Sequence, residues 1–158
     1  MTILTLKDKA PEFEAIGNNN KIIKLEDFKD KYLILYFYPK DNTPGCTIEA
    51  KDFEMLRSEF RKLNAVIVGV SKDNINSHNN FCKKYELNFD LIADENGVLC
   101  NKYGVLKEKS MFGRKYMGIE RTTFLINPKG EIEYIWPSVK FFGHAQEVLD
   151  YLKLSVRA

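Results

Sequence analysis

Two kinds of hydrophobic run organise this chain. Residues Tyr32 to Tyr38 and Ala65 to Val70 are apolar without alternation. A strand with one wet face alternates, so unbroken runs of this length point to strands buried on both faces. Between them, Ala50, Phe53, Leu56, Phe60 and Leu63 recur at spacings of three and four. That periodicity predicts an amphipathic helix over 47–63. Strand, helix and strand make one right-handed crossover unit, so the two strands are expected to be parallel.

The rest of the chain reads less strongly. Phe13 to Ile16 and Lys21 to Leu25 flank Gly17-Asn18-Asn19-Asn20 and predict an N-terminal hairpin. A helix is expected over 74–87, with Ile75, His78, Cys82 and Tyr85 on one face, and a short helix within 97–103. Thr122 to Ile126 and Glu131 to Trp136 read as strands joined by the turn Asn127-Pro128-Lys129-Gly130. A last helix over 145–154 carries Val148, Leu149 and Leu152. The order is that of an α/β fold of the thioredoxin type. A mixed central sheet is flanked by helices, with the N-terminal hairpin as an extension and one domain over 1–158.

Composition narrows the function classes. Hydrophobic residues make up 44% and charged residues 29% of 158 residues, as in an ordinary globular protein. The net charge is +2, and the basic residues are scattered among acidic ones. Nucleic acid and anionic membrane surfaces would need a basic stripe, so neither is an expected partner. No apolar run approaches the roughly 18 residues of a membrane span, and the N-terminus lacks the features of a signal peptide. A cytoplasmic location is expected. In such a compartment the three cysteines are either buried filler or chemistry.

Cys46 points to chemistry. The strand ending at Tyr38 feeds Pro39-Lys40-Asp41-Asn42-Thr43-Pro44-Gly45-Cys46. Thr43 suits an N-cap and Pro44 the first helical position, which sets Cys46 in the first turn of the helix. Free backbone N–H groups and the positive end of the helix dipole favour a thiolate there. An ordinary thiol needs roughly 3 kcal/mol of differential stabilisation to be mostly thiolate at neutral pH. A helix end supplies about 0.3–1 kcal/mol, and about 2 in a favourable, partly buried site. A nearby cation is therefore required, and Arg121, just before the strand Thr122 to Ile126, is the best candidate.

Pro39, Thr43 and Cys46 fit the P-x-x-x-T-x-x-C signature of peroxiredoxins. Together with Tyr36 to Tyr38, Gly118 to Ile126, Gly69 to Asp73 and Gly143-His144-Ala145, they closely resemble the bacterioferritin-comigratory (peroxiredoxin Q) subfamily over nearly the whole chain. The resemblance implies a thiol-dependent peroxidase acting on hydrogen peroxide and organic hydroperoxides, with no cofactor. Cys46 would attack the peroxide and become a sulfenic acid. Thr43 would orient the peroxide, Arg121 would polarise the O–O bond, Pro39 would shield the sulfur, and Glu49 would hold Arg121.

Many members of this subfamily carry a resolving cysteine five residues after the peroxidatic one, where this chain has Lys51. A second group resembles the arrangement here, with the resolving thiol at Cys82. Cys100 reads as structural. Reduction of a one-cysteine enzyme by an external thiol is the alternative. With Cys82 as partner, the first turn of the Cys46 helix and part of the Cys82 helix would unwind to meet. Asn74, Asn76, Ser77, Asn79 and Asn80 make that second helix intrinsically weak. Thioredoxin or a similar dithiol is the implied reductant, and a monomer is expected, as in members without an extended C-terminal arm.

Other constellations are weaker. His78 and Cys82 have the i, i+4 spacing of a metal pair, but no further ligand pattern accompanies them, so His78 reads as a surface or packing residue. A dithiol oxidoreductase would place a second cysteine where Thr43 stands. A non-enzymatic interaction or holdase module on the same fold would not need the set Pro39, Thr43, Cys46 and Arg121.

Overall fold

The structure, a computed structural model, describes residues 2–157. In chain order its elements are β1 (Glu14–Ile16), β2 (Ile22–Lys24), β3 (Tyr32–Phe37), α1 (Pro44–Lys62), β4 (Ala65–Ser71), α2 (Ile75–Tyr85) and β5 (Asp90–Ala93). There follow α3 (Val98–Lys102), β6 (Leu106–Met111), β7 (Arg114–Ile119), β8 (Thr122–Ile126), β9 (Ile132–Trp136) and α4 (His144–Arg157).

Five strands form the central sheet in the order β5-β4-β3-β8-β9. β3 runs parallel to β4 and antiparallel to β8, so the sheet is mixed. The lack of alternation in β3 has a direct cause. Leu33, Leu35 and Phe37 enter one core layer with Val68, Val70, Phe124 and α3 residues Leu99 and Cys100. Ile34 and Tyr36 enter the opposite layer with Ala50, Phe53 and Phe60 of α1, Phe81 of α2 and Val148, Leu149 and Leu152 of α4. This is the thioredoxin-like fold expected from the sequence. Among the described residues, no helix is long and apolar enough to cross a membrane.

The N-terminal hairpin is present, with β1 and β2 antiparallel. Its turn residue Asn18 is buried and accepts the Leu91 N–H at 3.0 Å, which fastens the extension to the β5 edge of the sheet.

Two features depart from the expected element order. β5 lies where no element is expected, because its run is too short to show a period. β6 and β7 form a separate hairpin whose residues 111–117 are exposed, so no core selects an apolar face. Its turn has Phe112 and Gly113 at φ of 51° and 78°, the left-handed pair that a tight antiparallel connection needs.

Candidate active site

β3 ends against the loop that leads into α1. Asn42 has φ of 61°, a region that asparagine tolerates, and reverses the chain there. Thr43 then takes the extended N-cap conformation, and Pro44 is the first residue of α1. The Thr43 hydroxyl does not cap the helix: it donates to Lys40 O at 2.8 Å. With its hydrogen spent on a carbonyl, that oxygen can only accept from a ligand. Cys46 follows in the first helical turn and is 1% exposed. Pro39 is half-buried in the same loop.

Sheet register explains how Arg121 reaches Cys46. Phe37 pairs with Thr122, so the start of β8 lies beside the end of β3 and the loop that follows it. Arg121 Nη2 donates to Cys46 Sγ at 3.4 Å, and Nη1 donates to Glu49 Oε1 at 2.6 Å. Cys46 and Glu49 are three residues apart on α1 and share one face. The Phe141 ring lies 5.5 Å from the guanidinium carbon and covers its other side. Burial pulls Arg121 down, but the charges of Glu49 and Cys46 outweigh it and hold the guanidinium above its ordinary value.

Glu49 is fully buried, and its Oε2 has no hydrogen-bond partner among the described residues. Burial raises its carboxyl to about 7 against the lowering effect of Arg121. The site therefore contains a carboxylate that titrates near neutrality and holds the cation facing the thiol.

All three cysteines are free thiols. Cys82 lies in α2, half-buried, and its thiol is pushed up to about 12 by burial and by the charges of Asp41, Asp90 and Glu54. Cys100 is fully buried in α3 and its thiol is also raised, first by burial and then by Asp94. Lys51 is exposed, with its ammonium 5.8 Å from the Tyr85 ring centre.

Sequence reasoning missed a polar cluster next to this site. Asp41, buried in the loop that leads into α1, accepts from Tyr38 Oη at 2.6 Å and from Ser77 Oγ at 2.8 Å. His78 is 0% exposed; its Nδ1 is 2.7 Å from Asp41 Oδ2 and its Nε2 is 2.9 Å from Ile92 O. It is therefore an internal, doubly bonded residue, not a surface one. The N-terminal half of α2 is likewise better held than its composition suggests. Asn74 caps it by accepting the Ser77 N–H at 2.8 Å, and Asn79 accepts the Asn19 N–H at 2.7 Å. The only available sequence signal was the apolar company of His78 on its helix face, which marks burial but not a partner.

Among the described residues, only Asp41, Asp73 and His78 converge closely enough to hold a metal. Their ligand atoms are already bonded to one another's loops and to Ser71 and Ser77. His144, at the start of α4, bonds Thr123 Oγ1 at 2.8 Å and is structural.

The AhpC/TSA family model matches residues 6–135. The putative peroxiredoxin bcp of Coxiella burnetii is 47% identical over 144 residues, covering 91% of this chain and 95% of that protein. Peroxiredoxin Bcp of Bacillus subtilis is 46% identical over 153 residues, covering 97% of each. The solved structure of peroxiredoxin Q from Xanthomonas campestris superposes with a TM-score of 0.89 at 41% identity over 98% of both chains. A mutant PrxQ from Xylella fastidiosa superposes with a TM-score of 0.93 at 38% identity, covering 98% of this chain and 99% of that one.

Proposed function

This chain belongs to the AhpC/TSA family, as a peroxiredoxin of the bacterioferritin-comigratory (peroxiredoxin Q) type, and from that premise we propose that Cys46 is its peroxidatic thiol and Cys82 its resolving thiol. It is a thiol-dependent peroxidase, with hydroperoxides as substrates and a thiol as reductant.

In the first step the Cys46 thiolate attacks the terminal oxygen of the hydroperoxide. The S–O bond forms as the O–O bond breaks, the sulfur is oxidised to a sulfenic acid, and the leaving oxygen takes a proton to depart as water or alcohol. Thr43, limited to accepting, receives the hydroperoxide O–H and aligns it. Arg121 donates to the sulfur and to the oxygen on which charge develops, which is where a preorganised donor lowers the barrier. Glu49 fixes the guanidinium in that position, and Pro39 keeps bulk water from the sulfur. The relative from Xanthomonas campestris has been studied for alkyl peroxide reduction, and organic hydroperoxides belong to this reading together with hydrogen peroxide.

In the second step the Cys82 sulfur displaces hydroxide from the Cys46 sulfenic acid, and the thiol proton leaves with it as water. A thiol held near 12 is a poor nucleophile. The step therefore needs the α2 environment to open, which returns Cys82 to water. A dithiol of the thioredoxin type then reduces the disulfide and leaves as a disulfide itself. Both thiols lie on one chain, so a monomer completes the cycle.

The observation that carries this reading is the guanidinium shared by Cys46 and Glu49. Peroxide consumption with a dithiol reductant tests it. Cys46→Ser is expected to lose turnover entirely, and an unchanged rate in that variant would remove the assignment.

A further inference from the structure

We infer that Asp41 and His78 form a latch between the Cys46 loop and the Cys82 helix, and that this latch sets how fast the two thiols can meet. The inference rests on the reading of Cys82 as the resolving thiol.

Asp41 stands between Pro39 and Thr43, in the loop that delivers Cys46. Ser77 and His78 stand in the first turn of α2, with Cys82 one helical turn beyond His78. A single carboxyl group bridges the two: Asp41 Oδ2 meets Ser77 Oγ at 2.8 Å and His78 Nδ1 at 2.7 Å. Its other oxygen accepts from Tyr38 Oη at 2.6 Å, and the Asp41 backbone N–H donates to Asp73 Oδ2 at 2.9 Å. Asp73 in turn accepts from Ser71 Oγ at the end of β4. His78 Nε2 faces Ile92 O, which can only accept, so that nitrogen carries a hydrogen. A further proton lies between Nδ1 and Oδ2, whichever atom owns it.

Every partner of this junction lies on an element that either moves or stays during the second step. β3, β4 and β5 stay; the loop and the first turns of α1 and α2 are what must give. Opening the loop alone would leave His78 in the core without its acceptor, and the half-buried Ser77 without its own. Opening α2 alone would leave Asp41 Oδ2 without its two partners, with only Oδ1 still held by Tyr38. Each outcome leaves a buried polar or charged group unsatisfied, which is penalised heavily. Opening both exposes all of them to water. The latch therefore makes the two openings one cooperative event and keeps the peroxide-reactive conformation closed until then. The same carboxylate is among the charges that hold the Cys82 thiol protonated while the fold is closed. Asp41 and His78 touch neither substrate nor reacting sulfur. They are positioning residues for the resolving step.

Two variants test this, Ser77→Ala, which removes one bond to Asp41, and His78→Leu, which removes the central pair. The rates of peroxide attack and of Cys46–Cys82 disulfide formation are followed separately by rapid mixing, with intact mass reporting sulfinic acid. Disulfide formation is expected to accelerate by about tenfold or more in His78→Leu and by less in Ser77→Ala, on the scale of losing buried hydrogen bonds. Sulfinic acid should require more peroxide in the same order. Native-state hydrogen exchange gives a second readout that does not depend on Cys82. Amides of 42–48 and 75–82 should share one opening free energy in the wild type and separate in His78→Leu. Unchanged disulfide rates in both folded variants, or distinct opening free energies in the wild type, would overturn the latch. Should the wild type form no Cys46–Cys82 disulfide at all, the resolving assignment fails, and the exchange data still decide whether the two segments open together.

Discussion

Arg121 and Glu49 are joined at 2.6 Å in the interior, with the carboxylate fully buried and the guanidinium turned to Cys46 by its second nitrogen. One residue on β8's leading edge is thus held by α1 at two points. A buried carboxylate is costly to ionise, yet breaking such a pair leaves an uncompensated charge. The pair is therefore better understood as a device for aiming Arg121 than as a source of stability.

Replacing Arg121 tests that aim. Lysine keeps the charge but has one nitrogen where the arrangement uses two in a fixed fork. Arg121→Lys should lower kcat/KM for hydroperoxide by about 100-fold, the scale of losing one preorganised donor. Steady-state kinetics with limiting peroxide measure it. A loss below threefold would mean that charge alone suffices.

Glu49 gives a pH signature. Its value in the fold is about 7, above the ordinary 4.5, so the fold favours the protonated acid. That contribution is fully present below about 4.5 and is lost as pH rises through about 7. Between pH 5 and 8 the wild type should lose up to about 3 kcal/mol relative to Glu49→Gln. Urea unfolding of both proteins across that range checks the slope, and a constant difference would contradict it.

Gly45 faces Phe141. A Cβ at Gly45 would lie 2.6 Å from the Phe141 ring, which itself lies against Arg121. Alanine at a helical glycine would gain about 0.5–1 kcal/mol from the backbone, and displacement of the ring forfeits a contact worth about the same. Gly45→Ala should therefore leave the melting temperature nearly unchanged while reducing peroxidase activity several-fold. Paired thermal melts and kinetics would show it.

Cys100 should prove dispensable for chemistry. It is wholly buried among Leu99, Tyr103 and the sheet. Cys100→Ala should retain the peroxidase rate and the disulfide pattern, with a stability loss of about 1–2 kcal/mol from the lost sulfur contacts. Loss of turnover in a folded Cys100→Ala would contradict the structural role.

The parts legible in the sequence are those with strong local signals. β3 and β4 announce themselves by unbroken apolar runs, α1 by its period, and the entry to α1 by Thr43, Pro44 and Gly45. Energy bookkeeping on one thiol sufficed to require a cation, and Arg121 is where the sheet register delivers it. What stayed hidden has no local signal. β5 is four residues long, and the β6–β7 hairpin is shaped by turn geometry at a tip whose residues 111–117 are exposed. Asp41 and His78 are far apart in sequence, so their pairing exists only once the loop and α2 are packed on the same sheet. The low helix propensity of residues 74–80 was legible, but the tertiary bonds that offset it were not.

The central claim is that one chain closes its own catalytic cycle between Cys46 and Cys82. Peptide mass mapping of the protein after one equivalent of hydroperoxide, without reductant, tests it most directly. The expected product is a single intrachain Cys46–Cys82 disulfide with Cys100 still a free thiol. A Cys46–Cys100 bridge, a purely intermolecular disulfide, or a persistent Cys46 sulfenic acid beside a free Cys82 would contradict it.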